Sequence, residues 1–315
     1  MKNLRYISAQ PATEYYMWQV EVMINNFIKN GINGNDIDVV CGIKNGIVPD
    51  DWRKLANHYN YVRFFFYEDD KVDPHYPSTL RPNILKKHFL KYPELSNEAI
   101  FYHDCDIVFT QSVDWSHLLN DDIWYCSDTI SYVGANYIKS KKYGIYERMC
   151  EIVGIDEEIP QQHEAHSGGA QYIMKNIDHT FWEKVEHDCT ALYQFFLDHL
   201  KAFPESPKYH PIQKWTSDMW AVLWNAWYFG HEMKVVKEME FIWPMWKITD
   251  WENIKIFHNA GVVNNSAESE RLFYKGKYVS GKLPYDIQLD DYNETMSTYN
   301  YVKEILETAK LSCLV

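Results

Sequence analysis

A short acidic interruption between two apolar runs is the feature that most constrains this chain. Residues 99–102 read Ala-Ile-Phe-Tyr, which predicts a buried strand, and residues 107–109 resume the apolar pattern. Since side chains alternate between the faces of a strand, we expect Asp104 and Asp106 to share one face, with Cys105 on the other. Two carboxylates held that close repel each other and lose hydration, and a divalent cation relieves both costs. The alternative interpretation is a solvated strand end.

Strand and helix patterns alternate through the first part of the chain. We predict strands over residues 4–8, 37–41 and 61–67, and helices over residues 15–29, 50–57 and 81–92. This alternation implies a parallel sheet with crossover helices, in which ligands bind beyond the carboxyl ends of the strands. Residues 8–11, 68–73 and 104–106 all follow a predicted strand. They are therefore the expected ligand-binding edge, with Ser8 and Gln10 as donor-binding candidates.

The rest of the chain is less regular. We predict strands over residues 171–175, 240–246 and 255–258, helices over residues 181–203, 218–229 and 299–309, and a surface loop over residues 264–283. No repeat or linker interrupts the 315 residues. The prediction is a single compact domain, residues 1–315, with a first half (1–115), a second half (116–285) and a closing helical segment (286–315).

Composition excludes some functions. A net charge of −13 argues against a general surface for polyanions, because phosphate contacts need Lys and Arg. The six cysteines are scattered, without metal-binding spacing, and are expected to be buried and reduced. No stretch approaches the ~18 apolar residues of a membrane span, so we predict no membrane insertion. The expected location is the cytoplasm of a bacterium or of a virus-infected host cell.

A later segment offers a third metal ligand. The run Lys-Ile-Phe-His at residues 255–258 predicts a strand that ends in His258, and Gly261 follows where a backbone can approach a phosphate. A hydrogen-bonded structural histidine is the alternative. Lys275 and Lys277 place cations where they can hold a phosphate, although a turn with two solvated lysines would look the same.

Two further segments have a functional and a plain interpretation. Gly168 and Gly169 precede a predicted strand, where small residues can lie against a sugar ring or simply form a turn. Asp218 falls in the first turn of a predicted helix, where the helix dipole favours an acid in any protein. Its functional interpretation is a contact with sugar hydroxyls.

Taken in order, these motifs resemble a known enzyme family. The sequence Asp104-x-Asp106, the Gly168-Gly169 segment, the helix beginning near Asp218 and His258-x-x-Gly261 resemble nucleotide-sugar glycosyltransferases of the GT-A fold, in particular the retaining, glycogenin-like enzymes. A closer likeness is to the plant hydroxyproline O-arabinosyltransferase and peptidyl-serine galactosyltransferase group. Three short segments carry this second likeness: Trp18-Gln19, Arg81-Pro82 and Trp243-Pro244-Met245-Trp246.

The resemblance implies a fold, a cofactor and an activity. The fold would be an α/β, Rossmann-like mixed and mainly parallel sheet flanked by helices. The cofactor would be Mn²⁺ or Mg²⁺ held by Asp104, Asp106 and His258. The donor would be a nucleoside diphosphate sugar, with UDP as the expected nucleotide, and transfer would proceed with retention. Residues 1–115 would form the nucleotide half, and residues 116–285 would form the sugar and acceptor half. Lys275, Lys277 and Arg81 would stabilise the negative charge of the leaving diphosphate.

Several alternatives stay open at this stage. No nucleophile or base is identified, and Asp218 and Glu164 are only candidates for a catalytic carboxylate. The acceptor hydroxyl can belong to a peptide, a glycan or a hydroxymethylated pyrimidine in DNA, as in phage-type enzymes, although the acidic charge counts against DNA. A nucleotidyltransferase can use the same carboxylates, but usually with a Gly-rich phosphate loop that residues 8–11 do not provide. A non-catalytic carbohydrate-binding protein is the remaining alternative.

Overall fold

The structure is a computed structural model that describes residues 2–142 and 144–314. Met1, Tyr143 and Val315 fall within the predicted domain range 1–315 but lie outside the described residues. The chain divides into two compact units that interleave along the sequence. Unit 1 comprises Met1–Leu4, Asp69–Tyr102 and Leu118–Lys237, and unit 2 comprises Arg5–Glu68, His103–His117 and Glu238–Val315.

The described residues form ten strands. They are β1 (Leu4–Pro11), β2 (Ile37–Ile43), β3 (Arg63–Glu68), β4 (Ala99–His103), β5 (Ile107–Phe109), β6 (Trp124–Asp128), β7 (Gly168–Lys175), β8 (Met233–Val235), β9 (Phe241–Ile242) and β10 (Ile256–His258).

The same residues form eleven α-helices. They are α1 (Glu14–Lys29), α2 (Asp50–His58), α3 (Leu80–Lys91), α4 (Ile130–Val133), α5 (Ala135–Lys139), α6 (Ile145–Val153), α7 (Glu158–Gln162), α8 (His179–Ala202), α9 (Ser217–Tyr228), α10 (Asn264–Glu270) and α11 (Thr298–Ala309).

Unit 2 contains two groups of strands. Strands β1, β2 and β3 are parallel, in the order β3-β2-β1. Every residue of β2 is buried, as expected for a parallel strand covered on both faces. Strands β5, β10 and β9 form a separate three-stranded sheet, in which β10 runs antiparallel to β5 and parallel to β9.

The hydrophobic core of unit 2 joins its first and last helices. Trp18 and Val22 lie on one face of α1, at the i, i+4 spacing of an amphipathic helix. They pack in one buried cluster with Tyr301, Val302 and Ile305 of α11. The acid at the start of α1 and the lysine at its end also complement the helix dipole. This core anchors the elements around the candidate site described below.

Unit 1 contains the other four strands, in the order β4-β7-β6-β8. Strand β7 is antiparallel to β4 and β6, whereas β6 and β8 are parallel. The long helix α8 begins after Asp178, whose side chain accepts a hydrogen bond from the backbone N–H of Thr180 at 2.8 Å. Helix α8 packs against α3 and α9.

The predicted α/β fold class, with a mixed and mainly parallel sheet and flanking helices, is confirmed. Four of the seven strand pairings within the two units are parallel. Two element predictions are wrong. Residues 264–283 are not simply a loop, because they contain α10 and a 3₁₀ turn at Lys275–Tyr278. The strand predicted over residues 240–246 is only β9, since Pro244 cannot donate a ladder hydrogen bond.

Two further sequence expectations concern the cysteines and the membrane. Five of the six cysteines are buried, Cys313 is half-buried, and all six are free thiols. Within residues 2–142 and 144–314, none of the helices combines the length and the apolar character that a membrane crossing requires.

Candidate active site

The two aspartates of the acidic motif lie in a turn and not in a strand. Strand β4 ends at His103 and β5 begins at Ile107, so the sequence prediction that strand alternation aligns Asp104 and Asp106 is wrong. A turn between two buried strands brings the carboxylates together instead. The His103 side chain supports this turn, with Nδ1 2.9 Å from the carbonyl oxygen of Asp104. Burial lowers the pKa of His103 to about 4, so the ring is neutral at pH 7.

Strand pairing brings His258 to the same turn. In the antiparallel ladder of β5 and β10, His258 lies opposite Ile107 and Phe257 lies opposite Val108. The next residue extends this connection, because the backbone N–H of Asn259 donates to the carbonyl oxygen of Asp106 at 2.9 Å. The last residue of β10 is thus fixed beside the residue that precedes β5.

The three predicted metal ligands converge. One ligand atom from each of Asp104, Asp106 and His258 lies within 4.8 Å of the other two. His258 Nε2 is 3.3 Å from Asp106 Oδ1 and 3.6 Å from Asp104 Oδ2. Two carboxylates and one imidazole form a donor set that fits Mn²⁺, which accepts nitrogen more readily than Mg²⁺ does. The chemistry of these side chains therefore suits the expected cation.

Lys275 adds a positive charge to this triad. Its ammonium donates a hydrogen bond to Asp106 Oδ2, and the Asp106 side chain is only 5% exposed. Burial by itself would raise the pKa of Asp106, but Lys275 and His258 hold it well below its usual value. The same ion pair raises the pKa of Lys275 despite burial, which opposes its charge. Asp106 and Lys275 are therefore both charged over the physiological pH range.

Three residues near the triad were missed by the sequence analysis. Tyr15, in the first turn of α1, and Tyr301, in α11, both have a raised pKa. Burial is the main cause, and the negative charge of Asp106 also raises both pKa values. Asn259 is 2% exposed, and its side-chain Nδ2 has no hydrogen-bond partner among the described residues. The sequence analysis could have identified Asn259, because it is the polar residue that directly follows His258. No local signal distinguished the two tyrosines from core aromatics.

The other predicted phosphate-binding residues of unit 2 are less closely tied to the triad. Gly261 follows β10 with φ of +78°, a conformation that favours glycine, and a Cβ there would lie 3.1 Å from the Trp243 ring. Lys277 is exposed in the same 3₁₀ turn as Lys275, and no ion pair joins it to the triad among the described residues. The roles of Gly261 and Lys277 stay predictions.

Ser8 and Gln10 do not lie at the end of their strand, as the sequence analysis expected. Strand β1 continues to Pro11, so both residues are inside it and both side chains are buried. Gln10 Nε2 donates to the carbonyl oxygen of Val40 at 3.1 Å, a contact within the strands. The predicted position is wrong because β1 is three residues longer than its apolar pattern, which polar Ser8 and Gln10 interrupt. Their donor-binding role stays a prediction.

In unit 1, Asp218 forms the centre of a second polar cluster. Its Oδ2 lies 3.0 Å from Arg81 Nη1, and its Oδ1 lies 2.8 Å from the hydroxyl of Tyr76. The Tyr76 hydroxyl accepts from the backbone N–H of Asp218 at 2.9 Å and also lies 2.9 Å from the carbonyl oxygen of Trp215. Its ring stacks on Tyr193 at 4.3 Å. Arg81 and Asp218, which were predicted separately, are therefore paired, and Tyr76 is a residue that the sequence analysis missed.

The glycine pair at the start of β7 is closely packed within unit 1. A Cβ on Gly168 would lie 2.3 Å from Cys126 Sγ, and one on Gly169 would lie 2.8 Å from the methyl carbon of Met219. Ala170 then adopts φ of +64°, where β6 and β7 pair irregularly. Small residues are required here for packing, and their predicted contact with a sugar stays a prediction.

Glu164 contacts the beginning of a short helix. Both of its carboxylate oxygens lie 3.3 Å from the backbone N–H of Asn136 in the first turn of α5. A Cβ on Gly134 would lie 2.6 Å from Glu164 Oε1, so the carboxylate sits directly against this backbone. The contact with the backbone of α5 gives Glu164 a structural role. Its catalytic role stays a prediction.

Comparisons with known proteins give similarity in structure only. No protein-family model matches the chain, and no curated protein matches its sequence. The apo structure of the bifunctional glycosyltransferase WbbM is 10% identical, with a TM-score of 0.49, and the match covers 97% of this chain and 50% of that one. This chain thus spans about half the length of the WbbM chain.

Two other solved structures are comparable in length to this chain. The galactosyltransferase LgtC, in complex with donor and acceptor sugar analogs, is 10% identical with a TM-score of 0.42, and the match covers 99% of this chain and 97% of that one. Mouse xyloside xylosyltransferase 1 is 6% identical with a TM-score of 0.38, and the match covers 82% of this chain and 97% of that one. These are similarities only, and the chemistry of this chain is argued below from its own residues.

Proposed function

We propose that this chain is a metal-dependent glycosyltransferase that moves a sugar from a nucleoside diphosphate sugar to an acceptor hydroxyl. The observation that carries the proposal is the convergence of Asp104, Asp106 and His258 within 4.8 Å, with Lys275 on Asp106. A leaving diphosphate carries several negative charges, and a cation site beside a lysine ammonium is suited to receive it. The motifs that resemble GT-A enzymes support the same class of reaction.

The metal is the first requirement of this chemistry. Asp104, Asp106 and His258 would hold Mn²⁺ or, with lower preference for the imidazole, Mg²⁺. A divalent ion bound there supplies positive charge to the diphosphate as it leaves. Lys275 would supply a second positive charge, and Tyr15 and Asn259 offer donors that can orient phosphate oxygens. We take UDP as the nucleotide because the motif order resembles UDP-sugar enzymes.

The residue that we propose for contact with the sugar is Asp218, as the sequence predicts. Asp218 is a charged acceptor for sugar hydroxyls, and Arg81 and Tyr76 hold it in one orientation through both carboxylate oxygens. Gly168 and Gly169 would lie along the sugar. Retention requires the acceptor to attack from the face that the diphosphate leaves. Asp218 is the preferred candidate for stabilising the positive charge at the anomeric carbon, since Glu164 is engaged by the start of α5.

The proposed acceptor rests on the charge of the chain and on the resemblance of its motifs. A glycan or peptide hydroxyl is compatible with a chain of net charge −13, whereas a hydroxymethylated DNA base would require a local basic surface. The likeness to the hydroxyproline arabinosyltransferase and serine galactosyltransferase group makes a peptide hydroxyl the first acceptor to test. A cytoplasmic setting remains part of this proposal.

One experiment separates the proposal from its rivals. Purified protein with Mn²⁺ is incubated with a panel of UDP-sugars, and released UDP is measured with and without peptide and oligosaccharide acceptors. We expect UDP release from at least one UDP-sugar, which the Asp106→Asn variant should lose. Pyrophosphate release from nucleoside triphosphates would instead indicate a nucleotidyltransferase. Sugar binding without release from any donor would indicate a non-catalytic carbohydrate-binding protein.

A further inference from the structure

The ion pair of Lys275 and Asp106 uses a carboxylate that a divalent cation also needs. Lys275 donates to Asp106 Oδ2, while Asp106 Oδ1 lies 3.3 Å from His258 Nε2. The Asp106 side chain is 5% exposed, so solvent screens its contacts weakly. An ammonium and a divalent ion on the same carboxylate would repel each other. The two cations therefore compete for Asp106.

The backbone that carries Lys275 is fixed on both sides. Phe273 and Tyr278 flank it, both are buried in the core of unit 2, and their rings stack with centroids 5.6 Å apart. The backbone N–H of Phe273 also donates to Thr298 Oγ1 at 3.0 Å. The backbone position is therefore set by packing. The side chain is a flexible four-carbon stem that is 29% exposed, so its ammonium can exchange partners while the backbone stays in place.

We propose that Lys275 competes with the metal for Asp106 until a nucleotide diphosphate is bound, and that this exchange makes metal and nucleotide binding mutually dependent. The inference rests on the metal and diphosphate roles assigned under the proposed function. Without nucleotide, a metal must displace the ammonium from a buried carboxylate. With nucleotide, the diphosphate gives the ammonium another anionic partner. Lys275 is thus a positioning residue that weakens metal binding until the nucleotide is bound and strengthens nucleotide binding once the metal is bound.

The coupling has a defined thermodynamic form. If UDP raises the affinity for Mn²⁺ by some factor, Mn²⁺ must raise the affinity for UDP by the same factor. Removal of the ammonium should strengthen Mn²⁺ binding in the absence of UDP, because its competitor is gone. The same removal should weaken UDP binding in the presence of Mn²⁺. Both changes reduce the coupling factor, whereas a purely structural lysine would weaken both ligands together.

The test measures binding of Mn²⁺ and not activity. Free Mn²⁺ is quantified by electron paramagnetic resonance in titrations of the wild type and of Lys275→Met, each with and without UDP. For Lys275→Met we expect about tenfold tighter binding of Mn²⁺ alone and a loss of most of the enhancement by UDP. Lys275→Arg keeps the charge and should resemble the wild type. Lys282→Met, at an exposed lysine of the same unit, is the control and should change neither value.

The outcomes separate this inference from the function on which it rests. If Lys275→Met is folded by circular dichroism and binds Mn²⁺ alone no more tightly than the wild type, the competition is refuted while the metal site stands. If Lys275→Met does not fold, Lys275→Arg still decides: a large change in its coupling factor would contradict a role based on charge. If the wild type binds no Mn²⁺ with or without UDP, the proposed function itself fails.

Discussion

His258 Nε2 lies 3.3 Å from Asp106 Oδ1, and the ladder between β10 and β5 holds the two residues in this relationship. Neither strand is longer than three residues. Their position is secured by burial instead, since Val108 and Phe257 belong to the core cluster of unit 2. This contact between distant parts of the chain thus depends on the apolar packing of the two strands that carry it.

The carboxylates of the triad should control metal-dependent UDP release. Asp104→Ala or Asp106→Ala removes a negative ligand, and we expect the turnover to fall by roughly two orders of magnitude or more. Excess EDTA should abolish release, and Mn²⁺ should restore it better than Mg²⁺. Asp50→Ala, at an exposed acid of the same unit, serves as the control. Full turnover in EDTA would contradict the metal role.

His258 should affect the metal more than the fold. We expect His258→Ala to weaken Mn²⁺-dependent UDP binding about tenfold or more, the effect typical of changes at a metal site. Calorimetric titration with UDP and Mn²⁺ measures this, and circular dichroism checks folding. His117→Ala, at an exposed histidine of unit 2, is the matched control. If His258→Ala binds UDP with unchanged affinity in the presence of Mn²⁺, His258 has only a structural role.

Asp218 should act on the sugar and not on the nucleotide. Asp218→Asn keeps the shape and removes the charge that Arg81 neutralises at 3.0 Å. We expect UDP affinity to stay near normal and transfer to fall about tenfold, or ~1.4 kcal/mol of activation free energy. Asp198→Asn changes an exposed acid of unit 1 and is the control. An equal loss of UDP binding and transfer would place Asp218 in the nucleotide site or in the fold.

A buried carboxylate in α1 should make stability depend on pH. Burial raises the pKa of Glu21 above its usual value of 4.5, although Tyr285, Ser312 and Tyr59 donate hydrogen bonds to it. A raised pKa means that the folded state binds more protons at Glu21, so the contribution of Glu21 to the free energy of unfolding should fall as pH rises above 4.5. Glu21→Gln removes this charge and keeps one of the two acceptor oxygens.

Urea unfolding between pH 5 and pH 8 measures this effect. We expect the free energy of unfolding of the wild type, minus that of Glu21→Gln, to decrease from pH 5 to pH 8, because the other titrating groups, including His103, are common to both proteins. Glu304→Gln, which removes a less buried acid of α11, is the comparison. A difference that stays constant or rises with pH would show that hydrogen bonding outweighs burial at Glu21.

The long regular elements were predictable from local patterns. Helices α1, α3, α8, α9 and α11 agree with their predicted positions within about two residues, because apolar spacing and capping residues act locally. The short strands β8 and β9 gave little or no local signal, since two or three residues form a strand only where a neighbour supplies hydrogen bonds. Helix α10 was missed because polar residues dominate it.

The sequence by itself determined the chemistry available at the site: two close carboxylates, a histidine that ends a strand, and lysines nearby. The tertiary structure decided which of these groups meet. It turned the chain at Asp104 and Asp106, joined Lys275 and not Lys277 to Asp106, and paired Arg81 with Asp218. The physical reason is that residue type and spacing are local properties. Which distant side chains share a buried contact depends on how whole strands and helices pack.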